Sequence, residues 1–257
     1  MKYSTVGIIG GTNGMGRWLA ELLLKEGCTV HVTGRKTAMT AADAARLCDV
    51  VVISVPIAAT AGVIAAVGPL LSPKQVLMDL TSLKSGPVAQ MLSQSVSEVV
   101  GCHPLFGPSI AKAAGNNIVL CPGRGDAGYA WIKNIFEKEG YTLLERTPDE
   151  HDRMMSIVQA LNHLNTLALG MAIAETGIPL SEVNLFSTPS FQSKMEIVRK
   201  VTTQSPDMYV DIIAGNPHAE WILKLYRRVV EDIQTMVSSG DVRKFKEAVK
   251  YSAEKLF

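Results

Sequence analysis

Two histidines in this 257-residue chain stand where they could take part in proton transfer. His103 follows a short apolar run, Val99 to Cys102, and precedes Pro104, so it is predicted on a rigid loop at the end of a strand. A neutral imidazole can accept a proton near neutral pH because its ordinary pKa is about 6.5. His103 is therefore a candidate general base. Taken alone, a histidine that only satisfies structural hydrogen bonds is an equally good interpretation.

The second histidine, His163, lies in a segment with helical periodicity that begins at Glu150. Positions 151, 155, 159 and 163 are four residues apart and stand on adjoining turns of one helix face. His163 is therefore the second candidate of the site. For His151, beside Asp152, we favour a structural role, because the pair could cap or orient the start of the helix.

A glycine-rich turn near the start of the chain predicts a nucleotide site. Val6–Ile9 has strand character, and Trp18, Leu22 and Leu23 then recur with helical spacing. The turn between them would aim backbone N–H groups and a helix dipole at one point, where a pyrophosphate could bind. The candidate cofactor-binding residues here are Gly11, Thr12, Asn13, Gly14, Met15 and Gly16.

This turn departs from the G-x-G-x-x-G pattern. If Gly16 is the third glycine, Gly11 is the first and Asn13 stands at the second position, although Gly14 follows it. The alternative interpretation is a closely packed βα turn that binds nothing.

The end of the second predicted strand, Cys28–Thr33, indicates which dinucleotide is preferred. NAD-binding folds usually place Asp or Glu here to hydrogen-bond the ribose 2′-hydroxyl. This chain has Arg35 and Lys36 instead, and two cations could pair with a 2′-phosphate. We therefore predict NADP, with NAD as the alternative. A solvated basic turn is the structural alternative.

Strand and helix patterns alternate up to residue 147. Apolar runs predict further strands at 50–56, 75–80, 99–102, 117–121 and 141–145, with helical patterns between most of them. The alternation predicts an α/β fold, a Rossmann-type doubly wound parallel sheet with ligands off the carboxyl ends of its strands. Several polar side chains fall just past such ends, on one rim: Ser54, Thr81, Ser82, Lys84 and His103.

From Pro148 onward the pattern changes to long helices, predicted at 149–175, 180–186, 190–203, 208–214, 219–238 and 242–255. No strand pattern remains in this part of the sequence. We therefore predict two domains, a dinucleotide-binding domain of residues 1–147 and an all-helical domain of residues 148–257.

Composition narrows the class of ligand. A net charge of +1, with 47% hydrophobic and 19% charged residues, is typical of a globular protein with no overall field for nucleic acid or an anionic membrane. The four cysteines show no C-x-x-C spacing, so neither disulfides nor a metal site is predicted. We also expect no signal peptide and no apolar run of the roughly 20 residues that span a bilayer. These features favour a small-molecule ligand and a cytoplasmic location.

The ordered set of motifs resembles the prephenate dehydrogenase family, the arogenate/prephenate dehydrogenase group. The matching segments cover nearly the whole chain and are Ile8–Gly11 with Met15–Arg17, Ser54–Ile57, Asp79–Pro87, His103–Pro108, Glu150–Asp152 with Gln159–His163, and Met208–Ile213. Each segment is a weak signal, whereas their order is specific. The resemblance implies oxidative decarboxylation of prephenate, or of arogenate, with NAD(P) in tyrosine biosynthesis.

The resemblance also implies roles for individual residues. His103 would be catalytic and hydrogen-bond the substrate's ring hydroxyl, and Ser82 would assist there. Lys84 would lie close to the substrate, and His163 would line the pocket. Ser54 and Pro56 would join the glycine turn in binding the cofactor. The helical domain would also form the interface of a homodimer.

One departure concerns the substrate carboxylate. The family's arginine for it falls on Gln192, and a neutral amide cannot replace a bidentate guanidinium. If 190–203 is one helix, Lys194 lies about 200° around the axis from Gln192, and Arg199 lies about 10 Å along it. We expect Lys194 to supply the charge if the chain is irregular at Gln192, with Gln192 itself hydrogen-bonding the substrate.

Two other functions remain open at this stage. Another small-substrate reductase, of the β-hydroxyacid, imine or deazaflavin type, could use the same architecture, although the surroundings of His103 and His163 count against it. A catalytically silent nucleotide-binding regulator is the other, and Gln192 is its only support.

Overall fold

A seven-stranded sheet forms the first half of the described chain. The computed structural model describes residues 3–109 and 113–257. The strands are β1 (Thr5–Ile9), β2 (Thr29–Thr33), β3 (Val50–Ile53), β4 (Val76–Asp79), β5 (Glu98–Pro104), β6 (Asn117–Arg124) and β7 (Thr142–Glu145), in the order β2-β1-β3-β4-β5-β6-β7. β1 to β5 are parallel, so their carboxyl ends meet at one edge of the sheet. The predicted Rossmann-type architecture is confirmed.

The last two strands differ from the predicted all-parallel sheet. β6 runs antiparallel to β5, with Val119 opposite His103, and β7 is parallel to β6. A parallel return would need a crossover, usually a helix. Residues 105–116 carry no helical repeat, and those that the structure describes form turns and bends. The chain therefore reverses beside β5.

Helices α1 (Gly14–Lys25), α2 (Ala41–Leu47), α3 (Ile57–Val67), α4 (Ser85–Gln94) and α5 (Ala127–Lys138) belong to this half. The sheet has an apolar cluster on each face. Val50 and Val52 of β3 belong to one cluster, and Val51 and Ile53 to the other. All four are buried, which explains why this strand shows no polar alternation.

The second half is helical, as predicted. One continuous helix comprises α6 (Pro148–Met155), a π-helical turn (Ser156–Leu161) and α7 (Asn162–Glu175). After it come α8 (Leu180–Leu185), α9 (Pro189–Thr203), α10 (Pro206–Gly215), α11 (Ala219–Ser238) and α12 (Val242–Leu256). Thr147 and Glu150 form a capping box at the start of α6. His151 is therefore not the cap that the sequence suggested.

The helix over 148–175 is more apolar than the sequence analysis allowed. It is long and apolar enough to cross a membrane by length and composition, with a mean hydropathy of 1.3 in a window that is only 11% buried. The expectation concerned an unbroken apolar run, and Gln159, Asn162, His163 and Asn165 interrupt the apolar residues of this helix. The helix also carries the buried polar pair His151 and Asp152, and Thr166 is its one buried residue in the described part of α7. An open apolar face of this kind is typical of a protein–protein interface.

Candidate active site

A chain of three buried polar side chains links the sheet to the helical half. Nδ1 of His103, near the carboxyl end of β5, lies 2.8 Å from Nε2 of His151 in α6. Nδ1 of His151 lies 2.8 Å from Oδ1 of Asp152. The relative exposures of His103, His151 and Asp152 are 4%, 1% and 0%. The three form an Asp–His–His series that ends at the edge of the sheet.

Asp152 is held by more than its histidine. Its two carboxylate oxygens accept the backbone N–H groups of Lys84 and Ser85, both at 2.8 Å. These groups begin α4, so Asp152 caps that helix from another element and is stabilised by the positive end of its dipole. The side chain of Asn216, at the end of α10, donates to the backbone carbonyl of Asp152 at 2.8 Å. Three hydrogen bonds, from Lys84, Ser85 and Asn216, therefore hold Asp152, the anchor of the series, in place.

The anchor determines which ring nitrogens carry protons. An ionised carboxylate only accepts hydrogen bonds, so Nδ1 of His151 must donate to Asp152. A neutral His151 then offers a lone pair at Nε2, and Nδ1 of His103 must be the donor to it. Nε2 of a neutral His103 is left without a proton. The series therefore presents a basic nitrogen at the far end of the His103 ring.

The surroundings favour these protonation states. Burial lowers the pKa of His103 well below its ordinary value, and His151 and the Lys84 ammonium act in the same direction. Burial also lowers the pKa of His151, although its hydrogen bond to Asp152 opposes the shift. Burial alone would raise the pKa of Asp152, but the hydrogen bonds from His151, Ser85 and Lys84 outweigh it and lower that pKa. The favoured state is thus a neutral His103, a neutral His151 and an ionised Asp152.

The π-helical turn brings later residues of the helix to the same face. In an uninterrupted α-helix, a residue twelve positions after His151 would be rotated by about 120° from it. A π-helical turn contains about one residue more than an α-helical turn, and this extra residue reverses about 100° of the rotation. His163, twelve positions after His151, therefore lies close to the helix face of His151. Gln159 lies in this turn, and its Nε2 is 3.5 Å from Nε2 of His103. His163 follows one turn later, half-buried, with its ring 4.7 Å from that of Tyr209 in α10.

Burial lowers the pKa of His163. This imidazole is therefore favoured in its neutral form, in which one ring nitrogen can donate a hydrogen bond and the other can accept one. His163 lies one turn after Gln159 on the same helix, and its place in a substrate pocket stays a prediction.

Ser82 and Lys84 follow β4 but have different surroundings. Ser82 is half-buried between the ends of β4 and α4. Lys84 is fully buried, and its ammonium pairs with the carboxylate of Asp79 and lies 3.3 Å from Oγ1 of Thr81. The Lys84 ammonium is thus enclosed and already paired with a carboxylate. Its predicted place close to the substrate stays a prediction.

The glycine turn after β1 fits a dinucleotide. Gly10 has φ +88°, and a Cβ there would lie 2.2 Å from the carbonyl oxygen of Ser54. Gly14 has φ +56° with nothing within 4 Å of a Cβ position, so a ligand can approach its backbone. No side chain caps the first turn of α1, and no acidic residue lies in it. Gly11 and Gly16 pack against each other below the turn, and Met15 packs on the core. The free N–H groups and dipole of α1 suit a pyrophosphate.

A cleft of about 620 Å³ adjoins this turn. Its walls include half of the predicted cofactor contacts, namely Thr12, Asn13, Arg35, Ser54 and Pro56. Arg35 is exposed at the end of β2, as a 2′-phosphate ligand should be. Lys36 is also exposed but is not among the residues that line the cleft. The cationic side of the cleft is therefore Arg35.

The structure does not bring Gln192 to His103. α9 begins at Pro189 with Thr188 as its cap, so Gln192 lies in a regular first turn. The irregularity on which the prediction for Lys194 depended is therefore absent from this described segment. Gln192 donates to Oγ of Ser187 at 2.9 Å and lines a groove of about 790 Å³ with Arg199.

That groove lies away from the histidines. Its wall on α7 includes Gly170 and Ala174, which follow His163 by about 10 to 16 Å of helix. A Cβ on Gly170 would lie 2.7 Å from Val198, so the later part of α9 is the part that approaches α7 near Gly170. Lys194 is not among the groove-lining residues. Arg199 is thus closer than Lys194 to the level of His163.

Comparison with known proteins identifies the family. A model described as "Prephenate dehydrogenase, nucleotide-binding domain" matches residues 21–145, and one described as "Prephenate dehydrogenase, dimerization domain" matches residues 147–251. The chain belongs to the prephenate dehydrogenase family. Its first half matches the family's nucleotide-binding model and its second half the family's dimerization model.

Individual relatives in this family are similar over most of the chain. A "Probable arogenate/prephenate dehydrogenase" of Methanocaldococcus jannaschii is 31% identical over 97% of this chain and 60% of its own length. The "T-protein" of Haemophilus influenzae is 29% identical over 94% of this chain and 64% of its own length. The chain thus spans about three fifths of the length of these relatives.

Solved structures of the family share the fold. Prephenate dehydrogenase from A. aeolicus, in complex with hydroxyphenyl propionate and NAD+, superposes with a TM-score of 0.76 at 18% identity, covering 99% of this chain and 98% of that one. Synechocystis arogenate dehydrogenase gives a TM-score of 0.74 at 18% identity, covering 98% of each chain. At this identity the likeness concerns the fold.

Sequence reasoning missed part of this prephenate dehydrogenase-family site. It assigned His151 a structural role, and it did not weigh Asp152 as an anchor of His103 or single out Gln159 and Asn216. The four-residue spacing of 151, 155, 159 and 163 did place Gln159 on the correct face. The contact between β5 and α6 that joins His103 to His151 is tertiary and left no local signal.

Proposed function

We propose that the chain catalyses the NAD(P)-dependent oxidative decarboxylation of prephenate to 4-hydroxyphenylpyruvate, a step of tyrosine biosynthesis. The observation that carries the proposal is the buried series of contacts from His103 through His151 to Asp152, at the sheet edge that also bears the nucleotide cleft. Arogenate, which a relative's name includes, is the alternative substrate.

In this proposal His103 accepts the proton of the ring hydroxyl through Nε2. A dinucleotide held in the cleft by residues such as Asn13, Arg35 and Ser54 would supply the hydride acceptor for the carbon that bears this hydroxyl, and the ring carboxylate would depart as carbon dioxide. Aromatisation favours the reaction, so the protein mainly contributes position and charge stabilisation. Ser82 assists at the hydroxyl, and His163 lines the pocket from the helical half.

We further propose that NADP is the preferred cofactor. Arg35 lines the cleft, and the sequence after β2 offers no carboxylate to bind a 2′-hydroxyl or repel a 2′-phosphate. The names of similar proteins include both cofactors, NADP(+) for a relative from Schizosaccharomyces pombe and NAD+ for the A. aeolicus structure. NAD therefore remains the alternative.

For the substrate's ring carboxylate we propose Arg199 in place of Lys194. Arg199 shares the helix face of Gln192 and lies nearer along α9 to the level of His163. A buried carboxylate needs such a charge, because leaving it unpaired is costly.

We also propose that the helical half forms a homodimer, with the domain boundary near residue 147. Large apolar side chains are exposed there, and Leu185 and Phe186 are each 83% exposed. The matching family model is described as a dimerization domain. A second copy of this chain would cover the apolar face of α7, so that helix has no need of a membrane. The cytoplasmic location stays a prediction.

One experiment tests the proposal. Purified protein is supplied with prephenate or arogenate and with NAD+ or NADP+, and the reduced cofactor and aromatic product are followed together. Formation of reduced cofactor and 4-hydroxyphenylpyruvate in equal amounts from prephenate supports the proposal. Turnover of arogenate alone selects the alternative substrate, and no turnover of either contradicts the assignment.

A further inference from the structure

Gln159 lies beside the basic nitrogen of His103, and neither of its amide atoms has a good partner. Its Nε2 is 3.5 Å from Nε2 of His103, which is longer than an ordinary hydrogen bond of about 3 Å. Its Oε1 is buried and has no hydrogen-bond partner among the described residues. Native proteins leave few buried polar atoms in this state, and functional sites are one place where they do.

The protonation of His103 determines whether the NH₂ group or the carbonyl oxygen of Gln159 faces it. Nε2 of His103 is the nitrogen with the free lone pair, because Nδ1 donates to His151. The NH₂ group of Gln159 must therefore face His103, since the reverse orientation would set two acceptors against each other. A donor and an acceptor thus lie side by side at the reacting end of the site.

We propose that Gln159 is a second catalytic residue, which donates an N–H to the oxygen of the substrate's reacting hydroxyl while that hydroxyl donates its proton to His103. The two nitrogens are 3.5 Å apart, so one oxygen can lie at an ordinary distance of about 3 Å from both. This inference rests on the proposed function and names a residue for its central contact.

The reaction gives this donor a specific task. The C–H electron pair leaves with the hydride to the nicotinamide, the hydroxyl proton moves to Nε2 of His103, and a C=O bond forms. The bond to the ring carboxylate then breaks, carbon dioxide leaves, and the bonding pair enters the ring. The oxygen is a phenolate until His103 returns the proton. A fixed N–H beside that oxygen stabilises its charge.

The test separates the contact with the hydroxyl from general binding. Affinities of 3-(4-hydroxyphenyl)propionate and 3-phenylpropionate are measured with cofactor-saturated enzyme, and their ratio isolates the contribution of the hydroxyl. In Gln159→Leu we expect this ratio to fall by about fivefold to tenfold, through weaker binding of the phenol alone. The turnover number should fall about 10²-fold, with cofactor affinity unchanged.

Two further variants control the comparison. Asn162→Leu removes an exposed amide from the same helix and should keep both the ratio and the turnover. Gln159→Glu keeps the size and polarity of the side chain, but an ionised carboxylate cannot donate a hydrogen bond. The affinity ratio should therefore fall in Gln159→Glu as it does in Gln159→Leu. If Gln159→Leu disturbs the fold, Gln159→Glu still tests the donor role.

The outcomes distinguish this inference from the proposed function. If the unmutated enzyme turns over prephenate or arogenate and both Gln159 variants keep its preference for the phenol, the role of Gln159 is overturned and the function stands. If the unmutated enzyme neither turns over these substrates nor prefers the phenol, the proposed function fails and the role of Gln159 fails with it.

Discussion

Nδ1 of His103 lies 2.8 Å from Nε2 of His151, and this one contact joins a strand of the sheet to the first helix of the other half. The reactive end of His103 is therefore defined by a residue 48 positions later in the chain. Neither half contains the oriented base by itself.

His103→Asn removes the proton acceptor and keeps a side chain of related shape. We expect the turnover number to fall by about 10² to 10⁴, the usual contribution of a general base, with little change in cofactor affinity. Steady-state kinetics and cofactor titration measure the two effects separately. Turnover close to that of the unmutated enzyme would remove His103 from the mechanism.

Asp152→Asn should release the orientation of His103 without touching its ring. An amide in place of the carboxylate can donate to His151, which reverses the direction of the series, and we expect about 10² to 10⁴ lower turnover. Nitrogen NMR of labelled histidines should show the proton of His103 moved from Nδ1 to Nε2.

Asp149→Asn is the matched control for this change, because it removes an exposed carboxylate from the same helix. It should leave the tautomer of His103 and the turnover unchanged. An equal loss in the two variants would mean that the charge of α6, and not the series, matters.

Arg35→Ala should weaken NADP by about tenfold or more and leave NAD binding intact, because a charge-assisted phosphate contact contributes about 1.5–3 kcal/mol. Lys36→Ala is the control and should have the smaller effect, since Lys36 does not line the cleft. Isothermal titration with both dinucleotides measures the difference. Equal kcat/KM for NAD and NADP in the unmutated enzyme would count decisively against the preference.

Arg199→Ala should raise the KM for prephenate about tenfold with little change for the cofactor, whereas Lys194→Ala should not. The reason is that Arg199 lies on the groove-lining face of α9 and Lys194 does not. The reverse result would restore the first prediction from sequence and place Lys194 at the carboxylate.

Acid should destabilise the folded chain through the same series. The pKa values of His103 and His151 are lowered in the fold, so the unfolded chain binds more protons below about pH 6.5. The free energy of unfolding should therefore rise with pH up to about 6.5 and level off above it. The lowered pKa of Asp152 adds stability that is present above about pH 4 and is lost as the pH falls through the folded value.

Denaturant titrations between about pH 5 and pH 8 measure this dependence. The slope should be shallower in His103→Asn, where one of the two histidines no longer titrates. A slope that His103→Asn leaves unchanged would show that other groups control it.

Local pattern was enough to predict most of the architecture. Val50–Ile53 is apolar at every position, so a strand buried on both faces was the natural interpretation, and the structure confirms it. The antiparallel direction of β6 could also be predicted from the sequence. A parallel connection from β5 to β6 usually contains a helix, and residues 105–116 show no helical repeat.

Two features of the site residues depend on information that no local window contains. The position of Lys84 after a strand was readable from the sequence, but its burial and its pairing with Asp79 depend on how the chain turns after β4. The prediction for Lys194 depended on where α9 begins, and helix boundaries are the least certain part of any pattern. The position of His103 beside His151 depends on docking between halves, which no local window contains.

The π-helical turn can also be considered as a matter of chain length. Deleting one residue between Ser156 and Leu161 would let the helix continue as a regular α-helix, with His151 and Asp152 unmoved. Everything after the deletion, from His163 to the apolar face of α7, would turn by about 100°. The extra residue of the π-helical turn therefore determines both the orientation of His163 and the direction in which the apolar face of α7 would meet a second copy. A deletion at this point would change both orientations together.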